Sequence, residues 1–285
     1  MNRLPQNDPS AVRQQPRRTF LVSNPVLRKL DDVNEVDQAN SATYGGIAVK
    51  TIYFLLFSIV GMVVFPILTP YLQFGKVLEF SVAKFPVSMY MGEAIGLGVS
   101  AILAIILQLL ARFVRVTTPV TGALYCVTQG YLISYLIFKV LKGYEYLGLL
   151  ALVLTVTIVL IMTILYATGA IRVTKKFRMV LITLFSTTIV VSLLLLIGSF
   201  IPATAGLVAQ LRNNYPLSIA SGIIFIIIAA LFLLCDFNTI DRVVNNKMPK
   251  RYEWAASFGL AFTVLWLYLK VLDLIITIAG NNKKN

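Results

Sequence analysis

Residues 253–279 read EWAASFGLAFTVLWLYLKVLDLIITIA, a long apolar run that contains two charged residues, Lys270 and Asp273, three positions apart. The run is longer than the roughly 20 residues with which an α-helix crosses the hydrocarbon core of a bilayer. It therefore predicts a transmembrane helix. The two charges inside it are candidates for a functional site, because ionisable groups within a membrane are energetically costly.

The rest of the chain has the same apolar character. Of its 285 residues, 58% are hydrophobic and 13% are charged, and the mean hydropathy is +0.82. A soluble domain carries about 25% charged residues. Because the apolar runs are continuous rather than alternating, an outer-membrane β-barrel is excluded. We predict an all-α polytopic membrane protein, in which residues 49–280 form a seven-helix transmembrane bundle. The predicted spans are 51–72, 86–111, 117–140, 144–168, 179–202, 216–236 and 253–279.

Residues 1–48 form a polar segment without an apolar run long enough for a span or a signal-peptide core. Their composition is typical of a largely disordered basic tail, which we place in the cytoplasm. Within it, FLVSNPVLRKL (residues 20–30) has spaced apolar residues and two basic ones. We expect this piece to lie on the membrane surface or to dock onto the bundle.

The distribution of Lys and Arg predicts the orientation of the bundle. With a cytoplasmic N-terminus, 17 of the 25 basic residues fall on the cytoplasmic side and 7 on the other, while Lys270 lies inside a span. Basic residues are enriched in cytoplasmic loops, so we predict that the N-terminus is inside and the C-terminus outside. The net charge of +13 then reflects topology and contact with anionic lipid headgroups. It gives no reason to expect nucleic-acid binding.

Histidine is absent, and the only two cysteines, Cys126 and Cys235, lie in apolar runs. The absence of histidine excludes HExxH metalloproteases, histidine-held haem and Ser-His or Cys-His catalysis. The cysteines are interpreted as small core residues. Neither a Ser/Lys dyad nor paired metal carboxylates are evident. We therefore expect neither an enzyme nor a bound cofactor.

The last span carries its polar residues on one face. Gly259, Thr263, Trp266, Lys270, Asp273 and Thr277 follow one another at alternating steps of four and three residues. Such steps place side chains on a single stripe of a helix. We expect this stripe to face the interior of the bundle as a polar seam.

Glu93 is the charged residue of the second predicted span, in MGEAIGLGVS. Gly92 and Gly96 flank it as a GxxxG pair, which allows a neighbouring helix to approach closely. With a span from 86, Glu93 lies about 10 Å below the outer end. Lys270 and Asp273 lie at a similar depth, which predicts one cluster of the three charges. Such a cluster either only fixes the register of the helices or lines an ion or proton pathway.

Two further polar residues lie in predicted spans. Asp236 ends the sixth span, where it is either an interfacial cap residue or a gate carboxylate that changes protonation state near neutral pH. A carboxylate is also a preferred ligand of calcium. Gln129 in the third span is interpreted as a residue that hydrogen-bonds between helices.

Four stretches together resemble the bacterial Bax inhibitor-1/YccA-like family over residues 22–279. They are SNPVLRKL (23–30), TGAIRVTKKFR (168–178), CDFNTIDRVV (235–244) and KRYEWAASFGLAFTVLWLYLKVL (250–272). The resemblance implies a multi-pass protein of the bacterial inner membrane, with seven helices and the last one central. Some members of the wider family are pH-sensitive calcium leak channels, in which acidic residues on the sixth and seventh helices sense protons. Others modulate membrane-protease quality control or stress responses.

The resemblance assigns roles to individual residues. The acid of the sixth helix corresponds to Asp236, and the acid that follows LYL on the seventh corresponds to Lys270. Where the family reads acid then base, this chain reads Lys270 then Asp273. Glu93 matches an acidic position on the second helix, whereas Gln129 stands where an acid is frequent.

Two functions are expected from these residues. One is a pH-regulated cation leak channel gated or lined by Asp236, Lys270, Asp273 and Glu93, through which calcium or protons pass. The other is a non-transporting regulator that contacts a membrane protease or another membrane protein.

Overall fold

A computed structural model describes residues 41–82 and 85–282. Most of the predicted tail, including residues 20–30, lies outside the described residues. The described chain forms eight α-helices and one two-stranded antiparallel sheet. The helices are α1 (Tyr44–Leu68), α2 (Met91–Phe113), α3 (Thr118–Tyr135), α4 (Tyr146–Ala167), α5 (Lys175–Phe200), α6 (Pro202–Asn213), α7 (Tyr215–Asn245) and α8 (Tyr252–Asn282). The strands are β1 (Val77–Val82) and β2 (Phe85–Tyr90).

The predicted all-α polytopic fold with seven spans is confirmed. Seven helices are long and apolar enough to cross a bilayer, all but the 12-residue α6. Helix α1 begins at Tyr44, inside the segment predicted as tail. Thr43 explains this start, because its side-chain oxygen accepts a hydrogen bond of 3.0 Å from the Gly46 amide and so caps the first turn.

The second span differs from its prediction. Residues 86–90 were predicted as the start of a helix, but they belong to β2, and α2 begins only at Met91. The two strands, VLEFSV and FPVSMY, are short runs with β-branched and aromatic residues, which fit a pleated sheet. Phe85 and Val87 are buried and attach the hairpin to the bundle. The hairpin therefore replaces the first residues of the predicted span.

The sixth span also differs from its prediction. Helix α7 continues from Tyr215 to Asn245, nine residues beyond the predicted end at 236. The polar residues after Asp236 are accommodated because they bond to neighbouring helices, as described below. Asp236 therefore lies inside a helix, and its interpretation as a cap residue is wrong.

Helix α8 lies at the centre of the bundle. It packs against α1, α3, α4 and α7, whereas α5 and α6 pack on each other and on α7. The closest crossing of two helices involves α1 and α3. A Cβ atom at Gly61 would overlap the Val127 carbonyl, and one at Gly130 would overlap the Ser58 carbonyl. Small residues at these positions allow the two backbones to touch.

Candidate functional site in the seam between α7 and α8

Helices α7 and α8 run antiparallel, and their interface is called the α7–α8 seam here. Three contacts define its register. The Phe232 and Trp266 rings lie 6.0 Å apart, and the Lys270 Nζ atom lies 4.7 Å from the centre of the Phe225 ring. Further out, a Cβ atom at Gly222 would lie 2.9 Å from the Leu274 side chain. Residues of α7 with lower numbers therefore face residues of α8 with higher numbers.

Asp236 is the buried acid of the seam. Its exposed fraction is 0%, and it shares a face of α7 with Ala229, Leu233 and Ile240 at helical spacing. Those three residues belong to the central hydrophobic core, together with the buried residues of α8. The structure thus places a carboxylate inside the core.

Lys270 and Asp236 do not meet in the seam. The ammonium group of Lys270 lies over Phe225, and Asp236 follows Phe225 by 11 residues on the same helix. Eleven residues of an α-helix correspond to about 16 Å along its axis. The two positions that the family resemblance pairs are therefore separated in depth in this chain.

Glu93 has a different partner from the predicted one. Its exposed fraction is 2%, and its carboxylate accepts hydrogen bonds of 2.8 and 3.0 Å from the Lys139 ammonium group. The Tyr90 amide donates to the same carboxylate over 3.1 Å, so Glu93 caps the first turn of α2. The predicted cluster of Glu93 with Lys270 and Asp273 is wrong. Because α2 begins at Met91, Glu93 also lies nearer the N-terminal end of the helix than predicted.

Sequence reasoning missed Lys139, which lies in a π-helical turn at Leu136–Val140. The sequence could have indicated this pair, because Lys139 falls near the outer end of the third predicted span and Glu93 falls near the outer end of the second. Opposite charges at one membrane level are natural partners.

The polar stripe of α8 is buried in the N-terminal half of the helix and more exposed in its C-terminal half. Thr263 is buried, and its hydroxyl donates to the Gly259 carbonyl over 3.2 Å. Trp266 packs edge-on against Phe185 and Phe232, which makes it an aromatic core residue. Further out, Lys270 and Thr277 are half-buried and Asp273 is exposed. The expectation that the whole stripe faces the interior therefore holds only for its N-terminal half.

The other predicted packing residues lie on α2 and α3. A Cβ atom at Gly92 would overlap the Leu72 carbonyl, and one at Gly96 would come within 3.1 Å of the Tyr131 hydroxyl. This glycine pair thus lets the segment after α1 and helix α3 approach α2. Gln129 is half-buried, and its side chain forms no hydrogen bond with another residue of the described chain.

A second buried acid, Glu253, was also missed. It is fully buried at the start of α8 and accepts hydrogen bonds from the Thr43 amide (2.9 Å), the Thr43 hydroxyl (3.2 Å) and Lys50. The Lys50 ammonium group lies 5.1 Å from the centre of the Trp254 ring. Glu253 therefore fastens the start of α1 to the start of α8. Lys50 and Glu253 stand at the inner ends of the first and last spans, which could have indicated the pair.

Asp241 joins two helices to the C-terminal end of α7. Its carboxylate accepts a hydrogen bond of 2.9 Å from the Tyr44 hydroxyl of α1 and another from the Tyr166 hydroxyl of α4. One turn away, Arg178 of α5 donates to the side-chain carbonyl of Asn238. These bonds explain why α7 extends past its apolar part.

The acids of the described residues do not form a metal-binding cluster, since no group of three or more His, Cys, Asp or Glu side chains is present among them. Tight calcium sites use six to eight oxygen ligands.

A family model described as "Bax inhibitor 1 like" matches residues 24–280. No curated protein matches the chain. No solved structure matches it.

Proposed function

Because this chain belongs to the Bax inhibitor 1 like family, we propose that it is a pH-regulated cation leak channel that conducts calcium across a bacterial inner membrane. The observation that carries the proposal is the fully buried carboxylate of Asp236 within the α7–α8 seam. A buried acid in a membrane helix is a functional candidate because its charged form is energetically costly there.

The proposed pathway follows the α7–α8 seam. When Asp236 is deprotonated, its negative charge attracts a cation, and its oxygens are the type of ligand that calcium prefers. When it is protonated, that attraction is lost. Thr263, buried on the adjoining face of α8, adds a hydroxyl oxygen, and Lys270 and Asp273 lie at the outer end of the seam. We therefore expect calcium entry to increase as the pH rises.

Gating in this proposal depends on one acid rather than on a pair. The family mechanism relies on repulsion between two carboxylates, but Lys270 occupies the second position and lies about 16 Å from Asp236 along α7. Lys270 instead places a positive charge at the outer end of the seam, where it opposes cation entry. Glu93, bound to Lys139, has a packing role in the proposal and lies outside the pathway.

Calcium entry into proteoliposomes tests the proposal. We expect wild-type protein to admit more calcium at pH 8 than at pH 6, and the Asp236→Asn variant to admit little at either pH. Lys270→Glu should increase entry, because it removes the opposing charge. Glu145→Gln is the control, since Glu145 is exposed in the loop before α4. Equal entry by wild type and Asp236→Asn at both pH values would refute the proposal.

The second candidate function is a regulator that acts through protein contacts. One observation favours it. The Ala42 amide donates to the Met248 carbonyl over 2.7 Å, and Ser41 forms an isolated bridge with Pro249. The end of the tail is thus attached directly to the loop between α7 and α8. A partner that binds the tail could therefore act on both helices.

A combination of two measurements favours the regulator. The first is no calcium entry by wild-type protein or by Lys270→Glu. The second is a membrane-protein partner that co-purifies with the full chain and is lost when residues 1–40 are deleted. Calcium entry that depends on Asp236 favours the channel instead.

A further inference from the structure

Lys270 and Asp273 lie within the hydrocarbon core of the membrane in almost every placement of α8. The helix has 31 residues, and about 20 residues span the hydrocarbon core. Every stretch of 20 residues within 252–282 contains Lys270, and nearly every one contains Asp273. Sliding the helix along the membrane normal therefore does not bring Lys270 into bulk water.

Lys270 and Asp273 attract each other electrostatically, but the rest of the described chain does not neutralise their charged ends. Lys270 contacts the Phe225 ring, and neither residue forms an ion pair or a side-chain hydrogen bond with another described residue. Thr277 donates to the backbone carbonyl of Asp273 over 2.9 Å, which leaves the carboxylate unaffected. Asp273 is exposed at the surface of the bundle. The Asp273 carboxylate is thus accessible from outside the protein, and the half-buried Lys270 lies one turn away from it.

The surface around the pair is apolar. The nearby turns of α7 and α8 expose isoleucine side chains, at Ile223, Ile224, Ile227 and Ile278. Acyl chains are the natural neighbours of such a surface, but a carboxylate and an ammonium group in contact with acyl chains are strongly unfavourable. A polar occupant at the outer end of the α7–α8 seam would remove this penalty.

The occupant should carry both signs of charge. A metal cation would neutralise Asp273 but would be repelled by Lys270. A purely anionic headgroup would neutralise Lys270 but would be repelled by Asp273. A headgroup with a phosphate and a primary ammonium satisfies both residues, because Lys270 can donate to the phosphate and Asp273 can accept from the ammonium. Charge-assisted hydrogen bonds of this kind are among the stronger ones.

We propose that the outer end of the α7–α8 seam binds a phosphatidylethanolamine headgroup, with its phosphate on Lys270 and its ammonium on Asp273. The two charges draw this headgroup below the level of the other headgroups, since a charge in the hydrocarbon core thins the bilayer locally. Side chains three positions apart on a helix have Cβ atoms about 5–6 Å apart. The ethylene linker of the headgroup separates its two charges by a few ångströms, so one molecule reaches both residues. Binding requires no ion conduction, so this site goes beyond the proposed channel and stands or falls separately.

Native mass spectrometry of the full-length protein in detergent tests the site. Phosphatidylethanolamine, phosphatidylcholine and phosphatidylglycerol with identical acyl chains are titrated separately. We expect wild-type protein to prefer phosphatidylethanolamine about tenfold over each of the others, the ratio that one charge-assisted hydrogen bond provides. Phosphatidylcholine tests the need for N–H donors, and phosphatidylglycerol tests the need for the ammonium charge.

Substitutions at Asp273 and Lys270 test which residue binds the ammonium and which binds the phosphate. Asp273→Asn should remove the preference over phosphatidylcholine, and Lys270→Met should weaken the binding of all three lipids. Lys270→Arg and Asp273→Glu should retain the preference, which guards against variants that merely misfold. The matched control is the double variant Lys142→Met and Glu145→Gln, a Lys and acid with the same order and spacing in an exposed loop. Equal binding of the three lipids by wild type, or an unchanged preference in Asp273→Asn, would overturn the proposal.

Discussion

At the scale of single residues, the charged groups in the spans were recognisable from the sequence, but most of their partners were not. Hydropathy reveals that a charge lies in a membrane helix, and this identified Glu93, Asp236, Lys270 and Asp273. The partner of each charge depends on how the helices pack. Glu93, for example, pairs with Lys139. Lys139 was predicted to lie on the outer side of the membrane, but it was not predicted as a partner of Glu93.

The Glu93–Lys139 ion pair should stabilise the fold. Lys139→Met leaves the Glu93 carboxylate, which is only 2% exposed, without its counter-ion. We expect the free energy of unfolding to fall by about 2 kcal/mol. A fully buried pair would lose more, but Lys139 is partly exposed. The double variant with Glu93→Gln should lose less than the sum of the two single variants. Unfolding in detergent by denaturant measures both values.

Lys142→Met is the control for this pair, because Lys142 is exposed in the loop three residues further on. Its effect should remain within about 0.5 kcal/mol, as for ordinary surface substitutions. Strict additivity of the Glu93→Gln and Lys139→Met effects would show that the ion pair contributes nothing.

At the scale of elements, the seven spans follow from apolar length, whereas their ends do not. The hairpin β1–β2 was hidden because FPVSMY is apolar enough to extend the second span, and hydropathy alone does not separate a buried strand from a helix. Helix α7 was predicted too short because Asp241 and Asn238 look like loop residues until Tyr44, Tyr166 and Arg178 provide their partners.

The crossing of α1 and α3 should depend on its two glycines. Gly61→Ala and Gly130→Ala each insert a methyl group against a backbone carbonyl, which requires the helices to move apart. We expect each to lower the free energy of unfolding by about 1–3 kcal/mol. Gly98→Ala in α2 is the control, since no atom beyond its chain neighbours and its own helix backbone lies within 4 Å of the added Cβ. Equal free energies of unfolding for all three variants would show that α1 and α3 can move apart without loss of stability.

At the scale of the whole molecule, composition was sufficient to predict a membrane bundle, and the family resemblance indicated that the last helix is central. The arrangement of the site was not predictable from the sequence. The depths of Asp236 and Lys270 depend on the register of α7 against α8, which is set by contacts such as Phe232 with Trp266. Such contacts involve residues far apart in sequence.

The orientation of the bundle stays a prediction and has a direct test. With 17 basic residues on the N-terminal side, the N-terminus should be cytoplasmic and the C-terminus outside. Alkaline phosphatase fused after residue 282 should be active, and green fluorescent protein at the same position should be dark. Fusions after residue 247, in the loop between α7 and α8, should give the opposite result. The same reporter active at both positions would contradict an orientation with α8 spanning the membrane.

The central claim, that cations pass along the α7–α8 seam, is tested most directly by blocking the seam during calcium entry. In a background with Cys126→Ala and Cys235→Ala, Thr263→Cys is treated with a positively charged methanethiosulfonate reagent in proteoliposomes. Thr157→Cys, exposed on α4, is the control. We predict that the reagent abolishes most calcium entry through Thr263→Cys and leaves Thr157→Cys unaffected. Undiminished entry through treated Thr263→Cys, or no calcium entry before treatment, would contradict the account.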